Sequence, residues 1–365
     1  MQRTFLAGQT RQSMRDWMAG NGQPAYRADQ VLAWVHQRHA ADWAAMSDLP
    51  KLLRERLQAS FNFPSLRLAQ QQGSEDTTRK FLWRLHDATF VESVLIPANP
   101  SLYGDKSDRH TLCISTQVGC AYGCKFCASG LDGFKRNLEP AEIIEQVLAV
   151  ERIHHAATPA SKSRLVNNLV IMGMGEPLAN YVNLMGALEI LNAEWGGNIG
   201  ARKITVSTSG LAPQIRMLAD QPWQFRLALS LHGATDEVRS RIMPINRKYP
   251  LQELVDAAAY YQTRKKGMIT LEYILIAGVN DMPEQTLPLA RIAQRLHAKV
   301  NLIPYNTVEG LPWQRPEPAV QTAFLKRLQA LNVTATLRRE KGHDIDAACG
   351  QLRLRVEKEI AALQP

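Results

Sequence analysis

The chain has 365 residues, 45% hydrophobic and 21% charged, with 43 Lys and Arg against 34 Asp and Glu for a formal net charge of +9. That length and apolar content allow one large core plus a smaller attachment, and they exclude a disordered or fibrous chain. No apolar run reaches about 18 residues and the first residues hold too short an apolar patch for a leader, so a cytosolic protein with no membrane contact is expected.

Apolar residues recur at three- and four-residue spacing early in the chain: Met14, Trp17 and Met18, then Val31, Leu32, Trp34 and Val35, then Leu52, Leu53 and Leu57. This spacing predicts short amphipathic helices. Residues 1–90 carry 12 Lys and Arg against 8 Asp and Glu. They read as a small basic helical domain, closed by a strand pair near Lys80–Leu85 and Thr89–Ile96. Ala98–His110 is polar and reads as a loop.

From Thr111 the pattern alternates. Candidate strands are Thr111–Thr116, Leu165–Met172, Lys203–Ser207, Phe225–Leu231, Ile269–Ile276 and Val300–Pro304. Candidate helices between and after them are Pro140–His154, Val182–Glu194, Ala212–Ala219, Leu251–Thr263, Glu284–His297 and Ala319–Leu331. Pro140 suits a first helical turn. Ile143, Val147 and Val150 give that helix an apolar face. Alternation implies a parallel sheet flanked by helices, hence an α/β fold. Six strand–helix units make an incomplete (βα)6 barrel over residues 91–365. A strand-like Val333–Leu337 and a last helix from about Ala347 form a C-terminal extension.

The five cysteines are Cys113, Cys120, Cys124, Cys127 and Cys349. An odd, clustered set argues against a secreted disulfide framework. Cys120, Cys124 and Cys127 follow a C-x3-C-x2-C spacing just after the first barrel strand. Soft thiolates at this spacing suit three irons of a 4Fe-4S cube, leaving the fourth iron open. Structural zinc needs a fourth protein ligand, which Cys113 on the preceding strand could supply, and no second paired motif follows. The spacing therefore favours iron–sulfur over zinc.

Barrel active sites gather at the C-terminal ends of strands. The cysteines follow strand one, Gly175 and Glu176 follow strand two, and Ser207 ends strand three. Ser230, Leu231 and His232 end strand four, and Asn306 follows strand six. All are expected on one face. Each also has a plain reading on its own: a glycine turn, a helix cap at Ser207, a hydrogen-bonded core imidazole at His232, a turn at Asn306. His154 and His155 close a helix with no acidic partner in register and read as surface. His343, Asp344 and Asp346 read as a loop positioning Cys349. Lys135, Arg136, Arg239, Arg241, Arg247, Lys248, Arg264, Lys265, Lys266, Arg338 and Arg339 supply positive charge for a polyanion.

The cysteine motif after a first βα strand resembles the radical S-adenosylmethionine superfamily. Further stretches occur in order: Thr-Leu-Cys113-Ile-Ser-Thr-Gln-Val-Gly-Cys120, Met-Gly-Met-Gly-Glu176-Pro, Thr-Val-Ser207-Thr-Ser-Gly, Leu-Ser230-Leu-His232, Asn-Leu-Ile-Pro-Tyr-Asn306 and Asp-Ile-Asp-Ala-Ala-Cys349-Gly-Gln-Leu. Over roughly Phe90–Leu352 they resemble the RlmN/Cfr group of RNA adenosine methyltransferases. Gly-Phe134-Lys-Arg136-Asn-Leu is more similar to the carbon-2 branch than to the carbon-8 branch. The loop Ala98–His110 is longer than is usual for the group.

The resemblance implies a 4Fe-4S cluster on Cys120, Cys124 and Cys127. It implies S-adenosylmethionine contacts at Gly175, Glu176, Ser207, Ser230, Leu231, His232 and Asn306. Cys349 would accept a methyl group from one S-adenosylmethionine. A 5′-deoxyadenosyl radical from a second would take hydrogen from that methyl, and the carbon radical would add to adenine. Glu92 would remove the ring proton. Cys113 would then attack the Cys349 sulfur, releasing methylated RNA and leaving a disulfide. From spacing alone, Cys113 reads as a small core residue, Cys349 as a loop thiol and Glu92 as a paired strand carboxylate. The implied substrates are adenosines in 23S rRNA and tRNA, each flipped from its stack. An external electron donor, a disulfide reductant and a monomeric state complete the expectation. Competing readings are a carbon-8 methyltransferase, a zinc-stabilised RNA-binding module without catalysis, and a radical activase for a protein partner.

Overall fold

The computed structural model describes residues 3–74, 77–98, 109–131, 133–159, 163–338, 353–354 and 356–357. Cys349, His343, Asp344, Asp346 and Arg339 lie outside them.

The N-terminal part begins with β1 (Thr4–Phe5), then α1 (Arg11–Gly20), α2 (Tyr26–His36) and α3 (Lys51–Ser60), and ends with β2 (Phe61–Asn62), which pairs in parallel with β1. α1 starts where the Thr10 hydroxyl accepts the Ser13 N–H at 3.1 Å, satisfying one of the unpaired amides of a first turn. The expected stripes face inward: Met14 and Met18, Val31, Leu32 and Val35, Leu53 and Leu57 are all buried. Each such side chain contributes roughly 1.5–3 kcal/mol by leaving water.

Three antiparallel strands follow, β3 (Arg67–Gly73), β4 (Arg79–Arg84) and β5 (Phe90–Pro97). β6 (His110–Cys113) pairs antiparallel with β5 on one side and parallel with the next barrel strand on the other. A short ribbon, β7 (Gln117–Gly119) with β8 (Phe134–Asn137), stands apart from this sheet. The alternating part then runs α4 (Pro140–Ala157), β9 (Asn168–Ile171), α5 (Tyr181–Asn192), β10 (Ile204–Thr208), α6 (Ala212–Asp220), β11 (Arg226–Ser230), α7 (Asp236–Ile242), α8 (Leu251–Lys265), β12 (Thr270–Leu275), α9 (Thr286–Arg295), β13 (Lys299–Pro304), α10 (Pro318–Ala330) and β14 (Ala335–Leu337).

The main sheet has ten strands in the order β14-β13-β12-β11-β10-β9-β6-β5-β4-β3, and its two ends do not pair with each other. From β6 to β14 every neighbour is parallel. This is the incomplete α/β barrel expected, with β14 added at one edge and three antiparallel strands at the other. Strands covered on both faces read as apolar runs: Leu227, Ala228 and Leu229 in β11 are all buried.

Two strands are shorter than their apolar runs. The Leu165 and Val166 amides donate to the Glu151 carboxylate at 3.1 and 2.7 Å instead of entering the ladder, so β9 begins at Asn168. The Ser115 amide donates to Gln146 Oε1 at 2.8 Å, so β6 ends at Cys113. α4 begins at Pro140 as expected, inside a capping box of Glu139 and Glu142, and continues to Ala157. Arg353, Leu354, Val356 and Glu357 are helical, where the last helix was expected. Among the described residues no helix is long and apolar enough to cross a membrane.

Candidate active site at the strand C-terminal ends

The ribbon β7–β8 carries Cys120, Cys124 and Cys127 in its connecting loop. The loop closes only with glycine. Gly119 has φ +74°, and a Cβ there would lie 1.9 Å from the Gly133 carbonyl oxygen. The Cys120 amide donates to that same oxygen at 3.0 Å. The Lys125 amide donates to Ile242 O at 2.9 Å, at the end of α7, and the Trp313 indole N–H donates to Lys125 O at 2.7 Å. The loop is thus fixed to the barrel rather than left to solvent.

Burial pushes the Cys120 thiol up to about 12, helped by Cys127 and Glu176. Burial also holds Cys124 well above the ordinary thiol range, with Cys127 and Cys120 adding to it. Crowded thiols in a dry site stay protonated unless a metal ionises them. Three soft thiols beside a cavity are the donor set of a 4Fe-4S cube with one iron left open, whereas a closed structural zinc takes a fourth protein ligand.

A cavity of about 310 Å³ adjoins the loop. Cys127 and Ser129 line it from the loop, Cys113 from the end of β6, and Val94 and Ile96 from β5. His232 after β11, Tyr305 and Asn306 after β13, and Arg338 after β14 complete its polar wall. That size and mixed lining suit a nucleoside-sized ligand.

The cavity brings together Cys113, Cys127, His232 and Asn306 of the expected site. His232 has φ +55° and its Nδ1 accepts the Ile274 N–H at 3.1 Å. Burial lowers its pKa to about 3, so the ring is neutral and Nε2 carries the proton as a donor. Phe126 meets the ring edge-on with centroids 5.0 Å apart.

Gly175, Glu176, Ser207, Ser230 and Leu231 are not cavity-lining residues but support its rim. Gly175 has φ +95°, and a Cβ there would come within 2.5 Å of Gln117. Glu176 is buried. Its Oε1 accepts the Leu178 N–H at 3.0 Å and its Oε2 the Ser209 N–H at 2.6 Å. Burial raises its pKa, with these hydrogen bonds pulling the other way. The Ser207 and Ser230 hydroxyls, on adjacent strands, are 3.3 Å apart. Leu231 is tied at both ends of its peptide, donating to Glu272 O at 3.0 Å and accepting from Arg239 Nε at 3.0 Å.

Glu92 lies two residues before Val94 and so shares the face of β5 that lines the cavity. It is fully buried, 2.9 Å from Lys80 Nζ, and its Oε1 accepts the Arg353 backbone N–H at 2.6 Å. Val356 packs on Leu82 and Phe90 nearby. Arg353 and Val356, which follow Cys349 in sequence, therefore pack on this face. Cys349 itself lies outside the described residues.

Two family models match this chain. Residues 4–62 match the ribosomal RNA large subunit methyltransferase N-terminal domain, and residues 114–290 match the radical SAM superfamily. A probable dual-specificity RNA methyltransferase RlmN 3 of Opitutus terrae is 53% identical over 360 residues, 98% of this chain and 96% of that one. The Akkermansia muciniphila probable dual-specificity RNA methyltransferase RlmN is 51% identical over 355 residues, 97% of each chain.

The chain belongs to the RlmN family.

The radical SAM methyltransferase of Sphaerobacter thermophilus, a solved structure, superposes on this RlmN-family chain with a TM-score of 0.89 at 41% identity, covering 95% of this chain and 98% of that one. A 4Fe-4S cluster and S-adenosylmethionine are the cofactors of this superfamily, and the cysteine loop and cavity fit them.

The structure also corrects the surface reading. Arg239 is fully buried: it donates to Leu231 O, to Asn246 Oδ1 at 2.7 Å and to Ser209 O, and it has no surface to offer a phosphate. It is a supporting residue that sequence reading placed among free cations. Arg136 is engaged by Glu142 and Asp87, and Lys265 donates to Gln221 O. His155 is not isolated either, because α4 places Glu151 one turn before it. Gln117 and Ser209, which help hold the rim together, lie inside quoted motifs but were not singled out, and Gln146 lies in no motif.

Proposed function

We propose that the chain methylates carbon 2 of adenosine in 23S rRNA and in tRNA, using Cys349 as the methyl carrier. The observation that carries this reading is the convergence of the cysteine loop and Cys113 on one nucleoside-sized cavity, within a chain of the RlmN family. The Gly133–Leu138 stretch favours carbon 2 over carbon 8.

Cys120, Cys124 and Cys127 hold the 4Fe-4S cluster, which when bound supplies the electron that splits S-adenosylmethionine. His232 and Asn306 line the cavity and orient the nucleotide, while Glu176, Ser207, Ser230 and Leu231 fix the strand ends that shape it. Glu92 takes the proton from the adenine ring. Cys113, on the cavity wall, attacks the Cys349 sulfur. As the S–S bond forms, the bond between the Cys349 sulfur and the RNA-bound carbon breaks, its electron pair stays on that carbon as an enamine that takes up a proton to complete the methyl group, and an external dithiol reductant restores both thiols. Residues 1–90 act as a basic accessory domain for RNA, with the barrel and C-terminal extension over 91–365. The protein acts as a cytoplasmic monomer supplied by an external electron donor.

The test is anaerobic reconstitution with iron and sulfide, incubation with RNA and S-adenosylmethionine, and mass mapping of the digested product. 2-Methyladenosine is expected. 8-Methyladenosine alone would assign the other branch, and no methylation would refute the reading. Cys113→Ala is expected to accumulate RNA covalently joined to the chain, seen as a slower band in denaturing gels. Free methylated RNA at the normal rate would remove Cys113 from the release step.

A further inference from the structure

Far from the cysteine loop, the N-terminal helices meet α4 at a group of histidines. His39 lies just after α2, with φ +52°, and is 7% exposed. Glu151 and His155 are one turn apart on α4, Glu151 fully buried and His155 half-buried. One ligand atom from each of the three lies within 4.8 Å of the other two. A cavity of about 290 Å³ opens beside them.

One observation asks for an occupant. Both ring nitrogens of His39 are buried with no hydrogen-bond partner, and so are both of His36, which lines the same cavity. Buried polar atoms left unpaired cost about 1–3 kcal/mol each, and native proteins seldom keep them. The His39 and His155 rings are stacked, with centroids 5.2 Å apart and planes 19° from parallel, and a nitrogen of each still comes within 4.8 Å of the other and of the Glu151 carboxylate.

We propose that His39, Glu151 and His155 bind one divalent zinc ion that clips the N-terminal helices to α4. Two borderline imidazoles and one harder carboxylate make a donor set that zinc accepts, and water from the cavity takes the fourth position. Burial lowers the His39 pKa to about 3, so its ring offers a lone pair at neutral pH. Glu151 accepts one backbone N–H on each oxygen, and an ionised carboxylate has further lone pairs for a metal. Those two amides orient it. Arg164 Nε lies 3.8 Å from Glu151 Oε1 and opposes a cation. It makes the site weaker than a closed structural zinc centre, and Glu151 offsets it. The same carboxylate argues against a phosphate as the occupant.

The test uses the full chain with its cluster reconstituted, so that iron fills the cysteine loop. Zinc content is measured by elemental analysis after dialysis against limiting zinc, for wild type, His39→Ala and His155→Phe. His155→Phe keeps the ring packing on the half-exposed side, and iron content reports that each variant is folded. Wild type is expected to retain about one zinc per chain, with binding at least roughly tenfold weaker in both variants. Added zinc should raise the melting temperature of wild type only. No retained zinc in wild type, equal retention in folded variants, or stabilisation by inorganic phosphate where zinc gives none would each overturn the proposal. None of these outcomes depends on RNA methylation.

Discussion

Arg239 is a cation held entirely by carbonyl and amide oxygens. It joins Ser209 O, after β10, to Leu231 O, after β11, and so sets the spacing of the two strand ends that flank the cavity. Arg239→Ala strands these acceptors and leaves a hole, and a loss of about 3–5 kcal/mol is expected, read as a lower urea midpoint. Arg239→Lys should not rescue it, because an ammonium cannot span the three acceptors of a planar fork. A variant as stable as wild type would show that the clamp is incidental. Glu92 poses the opposite question, since its pairing with Lys80 alone would explain its presence. If it moves the ring proton, Glu92→Gln folds normally with its cluster yet loses RNA methylation by at least roughly a hundredfold. Retained turnover would leave Glu92 a structural residue. Its strand and face were legible from Val-Glu-Ser-Val. Its closure by Arg353 was not, because 261 residues separate the two partners. Glu151 and His155 did carry an i,i+4 signal, hidden because the helix was read as ending at His154.

Elements buried on both faces were the legible ones. β11 and β12 read as apolar runs because helices cover one side and the barrel interior the other. β3 did not, because its Arg-Leu-Ala-Gln-Gln-Gln-Gly sequence is mostly exposed at a sheet edge and has no apolar face to announce. The ribbon β7–β8 escaped for another reason. It is short, its register shifts between Val118 and Gly119, and its pairing depends on a glycine turn. That turn is testable. Gly119→Ala would force its new Cβ against the Gly133 carbonyl oxygen. Iron retained after reconstitution is expected to fall severalfold, with the barrel still folded by circular dichroism. Unchanged iron content would show that the loop adapts.

At the scale of the whole molecule, burial of neutral histidines makes stability depend on pH. The pKa of His36 and of His232 is lowered to about 3 in the folded chain, against about 6.5 unfolded. Between those values the unfolded chain binds more protons, so stability rises with pH through this window. It is fully present above about pH 6.5 and is lost as pH falls toward 3, by ~1.4 kcal/mol per pH unit for each residue. Urea midpoints should drop steadily from pH 7 to pH 5, and a flat profile would contradict the burial. The central claim concerns the cysteine loop, and electron paramagnetic resonance of the anaerobically reconstituted, reduced chain tests it most directly. The account predicts a cluster signal that changes shape when S-adenosylmethionine is added, because the nucleotide takes the iron that Cys120, Cys124 and Cys127 leave open. A reduced chain with no such signal, or with one indifferent to S-adenosylmethionine, would contradict it.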